Sequence, residues 1–163
     1  MLQLCIDTST EHAFVAIAHQ EEVLHETYLP VGVQNSKLLF PALLALLDEA
    51  KLTPRDLGII SCGIGPGSYT GIRVGAAAAQ SMAYALRIPL VGLSSLEAFI
   101  PRKEGRFAVM LDARIGGIYF MQGEVKGGQV QSLSASEALQ PSECMSRLKK
   151  EDLIITPHLK AIR

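Results

Sequence analysis

The sequence predicts an α/β protein with mixed sheets in which one order of elements, three strands and then a helix, is used twice. Three observations predict it. Three short strand-like runs follow one another at the start, helical and strand-like patterns then alternate, and beyond a charged break near residue 101 the same order begins again.

Residues 2–7, 13–19 and 22–29 are each short and apolar or alternating, and His19-Gln20-Glu21 offers a tight connection, so an antiparallel meander is expected. Ser36 or Asn35 can cap a helix over residues 37–50, with Pro41 removing one internal donor and kinking its first turns. Residues 57–63 read as a buried strand, residues 70–86 as a second helix, and residues 90–91 as a short strand. Ser94 or Ser95 then caps a further helix. The stretch Pro101-Arg102-Lys103-Glu104-Gly105-Arg106 marks a boundary between a unit of residues 1–101 and one of residues 102–163. In the second unit residues 107–111, 117–124 and 129–133 read as strands, with Gly127-Gly128 as hairpin chemistry. Residues 141–150 read as a helix and residues 153–156 as a last strand.

Apolar residues make up 48% of the 163-residue chain and charged ones 19%. The apolar runs are broken by Pro41, Arg73, Arg87 or glycines before reaching the roughly 18–20 residues a membrane span needs, so no span is expected. The start reaches Asp7 without a basic segment and a long apolar one, which argues against a signal peptide. Cys5, Cys62 and Cys144 are odd in number and widely spaced, and the first two fall inside strand-like runs, which suits a reducing cytoplasm. Net charge is −1, from 15 basic and 16 acidic side chains, so the chain is not expected to grip RNA by itself.

The most informative stretch is Gly63-Ile64-Gly65-Pro66-Gly67-Ser68-Tyr69-Thr70-Gly71-Ile72-Arg73-Val74-Gly75, which leaves a strand, turns on glycines and enters a helix. A phosphate loop needs Lys and Ser or Thr after its last glycine, but Ile72 and Arg73 follow Gly71. A dinucleotide fingerprint needs glycines at its first, third and sixth places, and Gly65, Gly67 and Gly71 miss that spacing. Two readings remain. Gly65 and Gly67 permit a sharp turn while Gly71 and Gly75 let a helix pack closely; or Ser68 and Thr70, at a helix N-terminus, meet a phosphate. Asp7-Thr8-Ser9-Thr10 is either a phosphate-facing Asp with hydroxyls or an Asx/Ser turn. Asp7, Gly65, Gly67, Ser68, Thr70 and Gly71 are thus the residues of a possible phosphate contact. His12, His19, His25 and His158 include no i, i+4 pair, so no metal site is expected, and no Ser-His-Asp set can be assembled. No catalytic residue is proposed.

Two helices are too apolar for one buried face each. From residue 37 to 50, ten of fourteen side chains are Leu, Phe or Ala, leaving a narrow polar line at Lys37, Pro41 and Asp48. From residue 71 to 86 the one charge is Arg73, and nine of sixteen residues are Gly, Ala or Ser. Either both are sandwiched within their own chain, or they pair side by side and dock on an equivalent pair, forming a four-helix bundle.

Four segments carry a resemblance: Ile6-Asp7-Thr8-Ser9-Thr10, the glycine-rich stretch, Val91-Gly92-Leu93-Ser94-Ser95-Leu96-Glu97, and Asp112-Ala113-Arg114-Ile115-Gly116-Gly117-Ile118-Tyr119. In that order, over roughly residues 1–123, they resemble the bacterial TsaB (YeaZ) proteins. The resemblance implies an actin/Hsp70/sugar-kinase-like (ASKHA, ribonuclease H-like) fold of two βββα-type lobes. It implies a non-catalytic scaffold subunit needed for N6-threonylcarbamoyladenosine (t6A) formation in tRNA. The partners implied are a TsaD-type transferase and a TsaE-type ATPase, with homodimers when alone and tRNA met only through the complex. No cofactor is expected to bind tightly to this chain, ATP and metal being expected on the partner subunits. Family members dimerise through the two helices of the first lobe, and on that basis Leu39, Leu43, Leu46, Leu47, Ala76, Ala79, Met82 and Ala83 are the expected interface.

The chain also departs from the family pattern. Val33-Gln34-Asn35-Ser36 stands where the family often has Arg-x-His-Ser, and Thr156-Pro157-His158 replaces a glycine-rich turn, so the second lobe is expected to be abbreviated. The reading from another class is a small ATP-binding phosphotransferase of the same fold. A homodimeric module unrelated to tRNA is the third.

Overall fold

A computed structural model describes residues 1–31, 35–114 and 116–158. Val33 and Gln34, the Asn35 side chain, and Ile115 of the fourth motif lie outside the described residues. The chain divides into two compact units, Met1–Ser95 and Leu96–Arg163.

In the first unit the strands are β1 (Leu2–Asp7), β2 (Phe14–His19), β3 (Glu22–Tyr28), β4 (Leu57–Gly63) and β5 (Leu90–Leu93), and the helices are α1 (Asn35–Glu49) and α2 (Tyr69–Leu86). The sheet order is β3-β2-β1-β4-β5. β1 pairs antiparallel with β2 and parallel with β4, and β4 pairs parallel with β5. This is the mixed sheet the meander followed by alternation predicts, because a strand reached through a helix returns parallel to its neighbour. Alternate strand residues Leu4, Ile6, Val15, Ile17, Ile60 and Cys62 form one core cluster with Leu39, Leu43, Leu46 and Leu47 of α1 and Ala78, Ala79 and Ala83 of α2.

The second unit holds β6 (Gly105–Asp112), β7 (Ile118–Lys126), β8 (Gln129–Leu133), β9 (Glu137–Leu139), α3 (Pro141–Arg147) and β10 (Leu153–Ile155). Its sheet runs β10-β6-β7-β8, with β9 paired to β7. β6 has β7 antiparallel on one side and β10 parallel on the other, so it stands in this sheet where β1 stands in the first. Phe107, Val109 and Leu111 point to one cluster, and Ala108 and Met110 to another that includes Cys144 of α3. A strand with apolar side chains on both faces is covered on both.

Several expectations are corrected. The helix expected after Ser94 or Ser95 is a single 3₁₀ turn, Glu97–Phe99, because Pro101 follows at once and leaves no room to propagate. α1 begins at Asn35, so Asn35 and Ser36 are its first residues and not caps, and the helix continues through Pro41. β9, a three-residue strand, gives too short a pattern to read, and α3 ends at Arg147 where Leu148 turns extended.

Candidate functional site

Two features of the first unit could carry function: the polar turns gathered at the start of α2, and the outer face of α1 and α2. The polar turns form first, from local chemistry. Where β1 ends, Asp7 Oδ1 accepts the Ser9 N–H at 2.7 Å and Thr10 Oγ1 accepts the His12 N–H at 3.2 Å, which makes two consecutive side-chain-supported turns. At the end of β4 the chain turns through Gly65, with φ at +99°, and enters α2 under a Ser68 cap whose Oγ accepts the Gly71 N–H at 3.2 Å.

These two turns lock onto each other. Ser68 N–H donates to the Ser9 carbonyl at 2.6 Å, and Thr8 Oγ1 donates to the Gly71 carbonyl at 2.7 Å. A Cβ on Gly71 would overlap the Thr8 carbonyl oxygen, so only glycine admits this approach. Ser95 joins the cluster by exchanging hydrogen bonds with Gly65, its N–H at 2.8 Å to the carbonyl and its Oγ at 3.1 Å from the N–H. Asp7, Thr8, Ser9, Thr10 and Ser95 are all buried.

The structure therefore places Asp7, Gly65, Gly67, Ser68 and Gly71 in one pair of touching turns whose hydrogen bonds run within the chain, from Ser9 to Asp7, between Gly65 and Ser95, from Ser68 to Ser9 and from Gly71 to Ser68. At the start of α2 the Ser68 and Gly71 N–H groups already have partners within the chain, which leaves fewer donors there for a phosphate. Thr70 faces solvent. Of the two readings of the glycines, close packing is the one this geometry expresses. Burial, with the nearby Asp7 carboxylate adding to it, pushes the Cys62 thiol up to about 11, which makes it a core group and not a nucleophile. Among the described residues no group of three or more His, Cys, Asp or Glu side chains is placed to hold a metal ion.

The outer helix face corrects the expected interface. Leu39, Leu43, Leu46 and Leu47 are each at most 2% exposed, Ala79 and Ala83 are buried beside them, and Ala76 and Met82 pack half-buried against the same cluster. These residues face their own sheet. The reason is geometric: of the three apolar stripes on α1, the Leu39–Leu43–Leu46 stripe with Leu47 meets β2 and β3, and helix period alone cannot choose among stripes.

What remains outside is Phe40 at 45% exposure, Leu44 at 57% and Tyr84 at 88%. Between the helices runs an apolar groove of ≈ 270 Å³ lined by Ser36, Leu39, Phe40, Val74, Ala77, Ala78 and Ser81. The alanines and serine of α2 keep its floor low. Tyr84 went unnoticed in the sequence, although Arg73, Gln80, Ser81 and Tyr84 share one polar side of α2. Leu44 was legible too, since it continues the outward line of Lys37, Pro41 and Asp48.

With this geometry in hand, the chain compares closely with known proteins. A family described as "TsaD: tRNA N6-adenosine threonylcarbamoyltransferase" matches residues 31–159. The tRNA threonylcarbamoyladenosine biosynthesis protein TsaB of Bacillus subtilis (strain 168) is 30% identical over 155 residues, covering 93% of this chain and 68% of its own. The chain belongs to the TsaB family.

The TsaB of Haemophilus influenzae is 32% identical over 124 residues, 73% of this chain and 52% of that protein. YeaZ from Pseudomonas aeruginosa superposes with a TM-score of 0.76 at 28% identity, over 92% of this chain and 70% of that one. This TsaB-family chain thus spans about two thirds of the Bacillus relative. Among the described residues no helix is long and apolar enough to cross a membrane.

Proposed function

We propose that this TsaB-family chain serves t6A formation in tRNA as a non-catalytic subunit, by presenting the outer face of α1 and α2 to a TsaD-type transferase. The observation that carries the proposal is the coincidence on one helix pair of exposed Phe40, Leu44 and Tyr84 with an apolar groove between the two helices, lined by Phe40 but by neither Leu44 nor Tyr84. Aromatic and aliphatic side chains beside a low, small-residue groove are what a partner helix pair needs for close packing. A homodimer through the same face, when no partner is present, follows from the same surface. ATP and metal belong to the partner subunits in this reading, and tRNA is reached only through the complex in a cytoplasmic setting. The repeated strand order of the two sheets supports an actin-like, two-lobed fold shared with the transferase.

The experiment is reconstitution. The purified chain, mixed with TsaD-type and TsaE-type proteins and tRNA, is expected to restore t6A formation and to copurify with the TsaD-type protein. Leu44→Glu with Tyr84→Asp is expected to weaken that association roughly thirtyfold or more while leaving the melting temperature unchanged. Unaltered association of the double variant overturns this interface. Tight ATP–magnesium binding and turnover by the chain alone would favour the phosphotransferase reading instead.

A further inference from the structure

The charges on the outer line of α1 stand in the order that disfavours a helix. Lys37, Pro41, Leu44 and Asp48 follow one another along that line, and all four are exposed. Lys37 lies in the first turn, where the partial positive charge of the helix end repels it, and Asp48 lies in the last, where the partial negative charge repels it in turn. Among the described residues neither side chain has an ion-pair partner that would account for its place. The order gains nothing for α1 itself.

The direction of the helices limits how a second copy can meet this face. β1, β2 and β3 alternate in direction and β1 is parallel to β4, so β3 is parallel to β4, and β4 is parallel to β5. α1 and α2 are therefore both crossovers between parallel strands and run side by side in the same direction. A two-fold contact on their outer face has two forms. With the axis along the helices, α1 lies parallel on the second copy's α2, and Lys37 comes to the end that holds exposed Arg73, like charge on like. With the axis across them, α1 lies antiparallel on the second copy's α1, and Lys37 comes to Asp48.

The antiparallel form also matches side chain to side chain. In the register that sets Lys37 against the second copy's Asp48, Pro41 meets Leu44 and Phe40 meets Ala45, because all three pairs are centred between Ala42 and Leu43. Phe40, at 45% exposure, thus projects onto a small, exposed alanine. The two charges stand about 16 Å apart along the helix, so an ion pair closes each end of the apolar contact.

We propose that Lys37 and Asp48 set the orientation of self-association: a second copy docks with its α1 antiparallel to this one, and two Lys37–Asp48 ion pairs flank the Leu44 contact. The inference rests on the reading of the helix face as an interface and adds which way round a second copy sits on it.

The test is sedimentation equilibrium of the full chain at low salt, with Lys37→Glu, Asp48→Lys and the two combined. Each single reversal replaces two attractions by two repulsions and is expected to weaken self-association roughly fivefold or more, an effect that shrinks at about 1 M salt. The combined variant restores opposite charges and is expected to return to within about twofold of the original. Both reversals favour the helix dipole, so the melting temperature, taken at a dilution that keeps the chain monomeric, is expected to hold or rise, which separates lost docking from a lost fold. Absence of self-association, single reversals without effect, or a combined variant no better than the singles overturns the proposal. Leu44→Glu with Tyr84→Asp tells this failure from that of the face itself. Self-association weakened by that pair but indifferent to the reversals keeps the face and removes the orientation, and indifference to both removes both.

Discussion

Gly71 illustrates how one residue fixes a contact between distant segments. An added Cβ there meets the Thr8 carbonyl, which is backbone and cannot rotate away, so Gly71→Ala is expected to cost about 2–3 kcal/mol. Gly117→Ala is the control, since its Cβ would sit at ordinary contact distance, 3.5 Å from the Leu139 carbonyl. Urea unfolding checks both, as a shift in midpoint at constant slope. A second prediction concerns Asp152, whose side chain is 1% exposed and paired with Arg106. The Arg106 hydrogen bonds, helped by the Lys149 N–H, hold its carboxyl below the usual carboxylate range against the opposing effect of burial. Because the folded-state value is depressed, the pair stabilises the fold above the unfolded carboxylate value of about 3.9, and this is lost as pH falls through the lower folded value. Asp152→Asn is expected to lower the melting temperature by roughly 2–6 °C at pH 7, with the difference from wild type shrinking below about pH 4. A constant difference across that range would show that the ion pair contributes nothing.

At the scale of elements, neighbouring leucines of α1 have opposite fates. Leu43 is 1% exposed in the core cluster, so Leu43→Ala is expected to destabilise by about 2–5 kcal/mol. Leu44, one residue on and 57% exposed, can become alanine with a change within about 0.5 kcal/mol. Thermal melts of the two variants and their association with a TsaD-type partner separate the roles: the first is expected to lose stability and the second affinity. The strands were legible because alternation and turn residues act locally, as in the meander of β1, β2 and β3. The inward stripe of α1 was not, because ten apolar residues in fourteen leave helix period without contrast. β9 escaped for another reason: its three residues are strand only because β7 offers them an edge.

For the whole molecule, the outcome to measure is restored t6A formation when this chain joins TsaD-type and TsaE-type proteins and tRNA, and its loss with the Leu44→Glu and Tyr84→Asp pair. Unimpaired modification by that variant would remove the helix face from the function. The sequence by itself determined the class of fold and most of the order of strands and helices, which follow from spacing, alternation and turn chemistry along the chain, and its four motifs carried the resemblance to the family. Only the tertiary structure decided that the turn after β1 and the glycine-rich turn meet, what their polar groups bond to, and which apolar stripe stays outside. Thr8 and Gly71 are far apart in sequence, as are Ser9 and Ser68, so the bonds from the Thr8 hydroxyl to the Gly71 carbonyl and from the Ser68 N–H to the Ser9 carbonyl are known only when the two turns are seen in contact. Likewise the sheet, by covering Leu39, Leu43, Leu46 and Leu47, leaves Phe40 and Leu44 uncovered, a choice made by packing across the unit and not by the helix itself.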